Sequence, residues 1–152
     1  MAHEFPVSVH WPASGEPGTT VPDFTRQLRA DVPGKPSIPT SSASLYQGDD
    51  SRWNPEDLFG ASLATCHLLT YLALTKKAGV DVRRYDDDVK VILESTGGPT
   101  RITQIRLAAR IEVAKGTDLE KARVLFEKAH KYCFIGNSIT SEVVMEPTFV
   151  EV

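Results

Sequence analysis

Two cysteines, Cys66 and Cys133, are the only thiols in a chain of 152 residues, and they are the side chains best equipped for chemistry. Polar residues attend each of them: His67 follows the first, and Asn137 and Ser138 lie just after the second. A thiol pair can pass between dithiol and disulfide, and either member can attack an electrophile as a thiolate. Cysteine is also commonly buried as a small hydrophobe, so the pair alone leaves an inert, non-catalytic reading open. Zinc is a third reading, because Cys66-His67 and His130-x-x-Cys133 together offer two thiols and two imidazoles. Adjacent residues on a helix point about 100° apart, however, which makes Cys66 and His67 poor joint ligands. Glu56 precedes Cys66 by ten residues. At about 1.5 Å of rise per residue it does not reach the thiol along a helix. It can receive an arginine arriving from another segment, or simply favour the positive end of its own helix.

Several classes lack their motifs. There is no Gly-rich phosphate loop, no Gly-x-Ser-x-Gly, no His-Glu-x-x-His and no Cys-x-x-Cys, so nucleotide, hydrolase and thioredoxin-type readings have nothing to rest on. A net charge of −3, with Lys and Arg interspersed among Asp and Glu, gives no field to draw in nucleic acid. The start Met1-Ala2-His3-Glu4-Phe5-Pro6 has no basic, apolar signal. The chain is also read as lacking an apolar run of the roughly 18 residues that a membrane span needs. A cytoplasmic protein follows as the expectation, in which any bond between the two thiols is transient.

The elements that must position these residues form one expected domain over residues 1–152. Its 41% hydrophobic content can supply a core without disulfide staples. Phe5 to Trp11 alternates as a strand, Pro12 to Gly18 supplies a turn, and Asp23 to Val32 reads as the returning strand. Pro33 to Arg52 has little periodicity and reads as a long irregular loop. Asn54, Pro55, Glu56 and Asp57 open a helix that closes with Lys76, Lys77 and Gly79. Its apolar residues occupy nearly every face, which predicts a helix surrounded by protein. Val80 to Glu94 and Arg101 to Val113 form a hairpin about Ser95-Thr96-Gly97-Gly98-Pro99. Thr117 and Glu120 read as a capping box for a second helix that ends near Tyr132, with Cys133 at or just past its end. Val143 to Val150 alternates again as a closing strand. The order predicts an α+β fold with antiparallel sheet packed on helices.

The run from Asn54 to His67 (Asn-Pro-Glu-Asp-Leu-Phe-Gly-Ala-Ser-Leu-Ala-Thr-Cys-His), followed after the hairpin by Ala129 to Ser138 (Ala-His-Lys-Tyr-Cys-Phe-Ile-Gly-Asn-Ser), resembles the OsmC/Ohr family, the osmotically inducible and organic hydroperoxide resistance proteins. The resemblance extends from roughly Phe5 to the end. It implies an intertwined homodimer with two central cysteine-bearing helices and active sites at the dimer interface. It also implies that Cys66 is the peroxidatic cysteine, Cys133 the resolving cysteine, and Glu56 the carboxylate that orients an active-site arginine. Arg26 is the arginine at the matching position, with Arg29 as the alternative. The segment Pro33 to Arg52 and the sequence around Cys133 depart from the best-known hydroperoxide resistance members and resemble an OsmC-like branch.

The implied activity is reduction of organic hydroperoxides, favoured over hydrogen peroxide by apolar neighbours such as Leu58, Phe59, Leu63, Phe134 and Ile135. Burial pushes a thiol towards its neutral form unless a fixed cation favours the anion, and an arginine held by a carboxylate suits that task. Thiolate attack would leave a sulfenic acid on Cys66, and condensation with Cys133 would give a disulfide. The resemblance further implies an external dithiol reductant, lipoyl-type or other, and no metal, flavin or nucleotide cofactor.

Overall fold

The computed structural model describes residues 2–15, 18–95 and 97–152. Glu16 and Pro17 of the first expected turn, and Thr96 of the hairpin turn, lie outside the described residues. The chain divides into two compact units, residues 1–58 and 59–152.

The first unit holds a three-stranded antiparallel sheet of β1 (Ser8–His10), β2 (Leu28–Asp31) and β3 (Ile38–Thr40), in that order. β1 and β2 are shortened versions of the expected strands. β3 corrects the reading of Pro33 to Arg52 as irregular loop. Pro39 stands opposite Arg29 on an edge strand. An edge strand is bonded along one side only and so tolerates a residue without an N–H. The rest of that segment is also built: a 3-10 turn spans Ser44–Tyr46, and Ser41 binds across it. Ser41 Oγ donates to Arg26 O at 2.9 Å and accepts from Asp49 N at 3.1 Å. Gly48 is required here, because a Cβ at that position would lie 1.7 Å from Ser42 O.

Helix α1 (Pro55–Ala78) starts in the first unit and runs into the second. Asn54 caps it with Asp57 as its reciprocal partner: Asp57 N donates to Asn54 Oδ1 at 2.8 Å, and Asn54 N donates to Asp57 Oδ2 at 3.1 Å. At the other end Gly79, at φ 73°, closes the helix, with Val80 N bonded to Thr75 O and Gly79 N to Lys76 O. The helix buries one stripe, Gly60, Leu63, His67, Tyr71 and Thr75. Leu69 and Leu72 on the other side are exposed. Two expectations are thereby corrected. The helix is not surrounded within a single chain, and the chain does contain an apolar run of membrane-span length. Leu58 to Thr75 lacks Asp, Glu, Lys and Arg, and α1 carries an 18-residue window of mean hydropathy 1.4. Its buried stripe instead packs into the core of the second unit.

That unit is built on β4 (Val82–Glu94) and β5 (Arg101–Val113), the expected hairpin. Ile105, Leu107, Ala109, Ile111 and Val113 alternate inward along β5 and have no exposed surface. Helix α2 (Leu119–Tyr132) follows, capped by Asp118, whose side chain accepts from Lys121 N. Asp118 therefore takes the role expected of Thr117, which bonds Ala114 O instead. The expected final strand is two, β6 (Glu142–Met145) and β7 (Thr148–Glu151), separated at Glu146-Pro147 because Pro147 offers no N–H to the ladder. Both pair with β5 in parallel. The sheet is therefore mixed, since α2 carries the chain back across it before β6 begins. The core forms two clusters along β5, one around Tyr71, Phe126 and Ala129, the other around Leu63, Ile105, Leu107 and Cys133.

Candidate active site

In the second unit the two thiols meet at the second cluster. Cys66 projects from the middle of α1 one turn after Leu63, and packs against the cluster that contains Cys133. Cys133 ends α2, its own N–H bonded to His130 O at 3.3 Å, and has no exposed surface. Cys66 is part-exposed, and both thiols are free. Burial pushes the Cys133 thiol up to about 11, and its hydrogen bond with Cys66 acts in the same direction. Gly136 N–H opposes this by donating to Cys133 Sγ at 3.2 Å, as does the Ile135 N–H.

The chain folds this way after Cys133 because a 3-10 turn, Gly136–Ser138, follows directly. Asn137 and Ser138, the polar residues expected near the second thiol, bind backbone rather than sulfur. Asn137 Nδ2 donates to Lys131 O at 2.9 Å and Cys133 O at 3.0 Å, and Ser138 Oγ donates to Phe134 O at 2.8 Å. They hold the turn that aims Gly136 N at the thiol. His130 packs on the same glycine: a Cβ on Gly136 would lie 3.3 Å from its ring. Of the apolar neighbours expected at the site, Phe59 and Ile135 pack on the cluster and Leu63 is within it, whereas Phe134 is 83% exposed and lies outside it.

His67 belongs to the core. Its Nε2–H donates to Phe126 O at 3.1 Å, and its ring meets Phe126 edge-on at 4.4 Å. Burial pushes it down to about 4, despite the bond to Phe126 O, and the nearby His130 lowers it further. It faces a different neighbour from Cys66, as their 100° offset requires. Among the described residues no group of three His, Cys, Asp or Glu side chains is arranged to hold a metal ion.

A pH dependence follows. The unfolded chain takes up a proton near 6.5 and the folded chain only near 4, so stability is complete above that window and is lost as pH falls through it. The loss is on the order of 3 kcal/mol for the full shift. Asp87, raised by burial, contributes in the opposite sense. The expected result is a falling urea midpoint from pH 6.5 to pH 4 that flattens in His67→Gln, which keeps a donor for Phe126 O. An unchanged slope in that variant would show that His67 does not carry the dependence.

In the first unit, Arg26 lies 4.4 Å above the Phe24 ring, and its Nη2 donates to Gln47 Oε1 at 2.7 Å. It borders a recess of about 380 Å³ lined chiefly by Trp11, Phe24, Leu28 and Tyr46. Arg29 instead spends its guanidinium on Asp31 at 2.7 Å on an exposed face. The hydrogen bond from Ser37, followed by that from Arg29, holds the Asp31 carboxyl below the usual range. Glu56 is half-buried in the first turn of α1, and within its own unit it has no ion-pair partner among the described residues. Sequence reasoning missed Gln47 and the Gly136 N–H. The first sits in the segment read as loop. The second carried only the Gly-Asn turn signal after Cys133.

The peroxiredoxin OsmC of Escherichia coli (strain K12) is 26% identical over 122 residues, covering 74% of this chain and 85% of that protein. Among solved structures, an OsmC-like protein of unknown function from Vibrio cholerae O1 matches at 24% identity, with a TM-score of 0.86 over 97% of this chain and all of that one. An organic hydroperoxide resistance protein from Elizabethkingia anophelis matches at 21% identity and a TM-score of 0.70, with both chains fully covered. The likeness to the solved structures agrees with an α+β fold of mixed sheet and two helices. The family model described as OsmC-like protein spans residues 48–148, which takes in both cysteines, and the chain belongs to the OsmC family.

Proposed function

We propose that the protein is a cytoplasmic, homodimeric thiol peroxidase that reduces organic hydroperoxides through Cys66, with Cys133 as the resolving thiol. The observation that carries this reading is the meeting of a part-exposed Cys66 with a fully buried Cys133 in one apolar cluster. The names of the relatives, a peroxiredoxin and an organic hydroperoxide resistance protein, support it.

The Cys66 thiolate attacks the terminal peroxide oxygen, the O–O bond breaks, and an alcohol leaves once protonated, with the sulfenic acid left on Cys66. Cys133 then attacks that sulfur, expels water and forms the disulfide, which an external dithiol reduces. Arg26 is the cation assigned to the thiolate and the peroxide oxygen, and Glu56 is its orienting carboxylate. These two roles rest on the family resemblance. Arg26 is favoured over Arg29 because Arg29 is already committed to Asp31. The exposed apolar side of α1, with Leu69 and Leu72, supports the homodimer.

Cys133→Ser tests the cycle. With no resolving thiol, one equivalent of cumene hydroperoxide is expected to leave Cys66 as a sulfenic acid, read as a dimedone adduct on the Cys66 peptide. The unsubstituted protein should give little adduct under the same conditions. Equal labelling of both proteins would remove Cys133 from the cycle.

A further inference from the structure

The two sulfurs differ in access. Cys133 has no exposed surface and lies among Leu63, Ile105 and Leu107, while Cys66 is part-exposed on α1. They differ also in what each is offered by the backbone. Gly136 N–H donates to Cys133 Sγ at 3.2 Å. A backbone N–H aimed at one atom favours an anion there, here a sulfur with no exposed surface inside an apolar cluster.

Resting on the two-cysteine cycle proposed above, we propose that the dithiol reductant attacks Sγ of Cys66, and that Cys133 is the leaving sulfur whose thiolate the Gly136 N–H receives. The reductant's thiolate forms a bond to Cys66 Sγ as the Cys66–Cys133 bond breaks, and that electron pair passes to Cys133. The Cys133 thiolate takes up the proton released when the reductant's thiol ionised. The second thiol of the reductant then attacks its own bound sulfur and expels Cys66 as thiolate. The protein has gained two electrons, and the dithiol departs as a disulfide.

Two effects compete in this assignment. Burial, which pushes the Cys133 thiol up to about 11, slows its departure by about tenfold. Attack at Cys133 is disfavoured more strongly, because the nucleophile must approach along the S–S axis and would have to enter through the Leu63, Ile105 and Leu107 side chains. Access therefore decides. Asn137, by holding the turn through Lys131 O and Cys133 O, acts as a positioning residue for the Gly136 N–H.

The test uses the full chain oxidised with diamide to the Cys66–Cys133 disulfide. Brief exposure to 2-mercaptoethanesulfonate is quenched with excess N-ethylmaleimide in denaturant, which opens both sulfurs to the maleimide, and the cysteine peptides are mapped by mass. The expected product carries the mercaptoethanesulfonate on Cys66 and maleimide on Cys133, in roughly tenfold or greater excess over the reverse. The reverse arrangement, or an even mixture, overturns the inference and leaves the peroxidase reading standing. If diamide forms no Cys66–Cys133 bond at all, the two-cysteine cycle itself fails, and this inference fails with it.

Discussion

Cys66→Ser is expected to lower kcat/KM for an organic hydroperoxide by on the order of 10³-fold or more, because the hydroxyl that replaces the thiol is a far weaker nucleophile near neutral pH. The fold should survive the change. Cys66 is part-exposed at the edge of its cluster, and serine is nearly isosteric, so unfolding free energy should move by no more than about 1 kcal/mol. The two readouts together separate chemistry from structure: loss of turnover in a protein whose thermal midpoint is unchanged places the defect at the reacting atom. Turnover retained within a few-fold would remove Cys66 from the mechanism.

The second large effect is structural. Phe126→Ala should destabilise the protein by about 4 kcal/mol, within the range for truncating a fully buried aromatic. Phe126 has no exposed surface. It is where α1, α2 and the sheet meet, with His67, Tyr71, Tyr85 and Phe149 all against its ring. Four aromatic neighbours cannot all collapse into the space that a phenyl ring leaves. For a chain of this size the loss corresponds to roughly 8–16 °C in thermal midpoint. Guanidinium unfolding would measure it, and a change below about 1 kcal/mol would mean that the cluster is not a cooperative part of the core.

Where a residue's local signal and its tertiary role coincide, the sequence was readable. The hairpin of β4 and β5 follows from alternation around a Gly-Gly-Pro turn, and α1 begins at Asn54 and ends at Gly79 because both residues satisfy backbone groups locally. Strand β3 was hidden because it is three residues long and contains Pro39, which argues against a strand everywhere except at an edge. Parallel pairing of β6 and β7 with β5 leaves no mark on β6 or β7, since direction is set by the α2 crossover. Asp118 rather than Thr117 caps α2 because Thr117 has a competing acceptor in Ala114 O.

The site was legible in part for the same reason. Cys66 and His67 sort to different neighbours by helix geometry alone. The meeting of Cys66 with Cys133, 67 residues later, needs the whole second unit, and so does the aim of Gly136 N at the Cys133 sulfur. Arg26 is distinguished from Arg29 only by what each touches: Gln47 and the Phe24 ring in one case, Asp31 in the other.

The most direct test of the two-cysteine peroxidase is the intact mass of the fully reduced protein before and after one equivalent of cumene hydroperoxide, with the cysteine peptides mapped. The expected result is rapid loss of two hydrogens, located to a Cys66–Cys133 disulfide, with release of the alcohol. An unchanged mass with both thiols still free to alkylation would contradict the peroxidase and leave a member of the OsmC family whose paired cysteines serve the core.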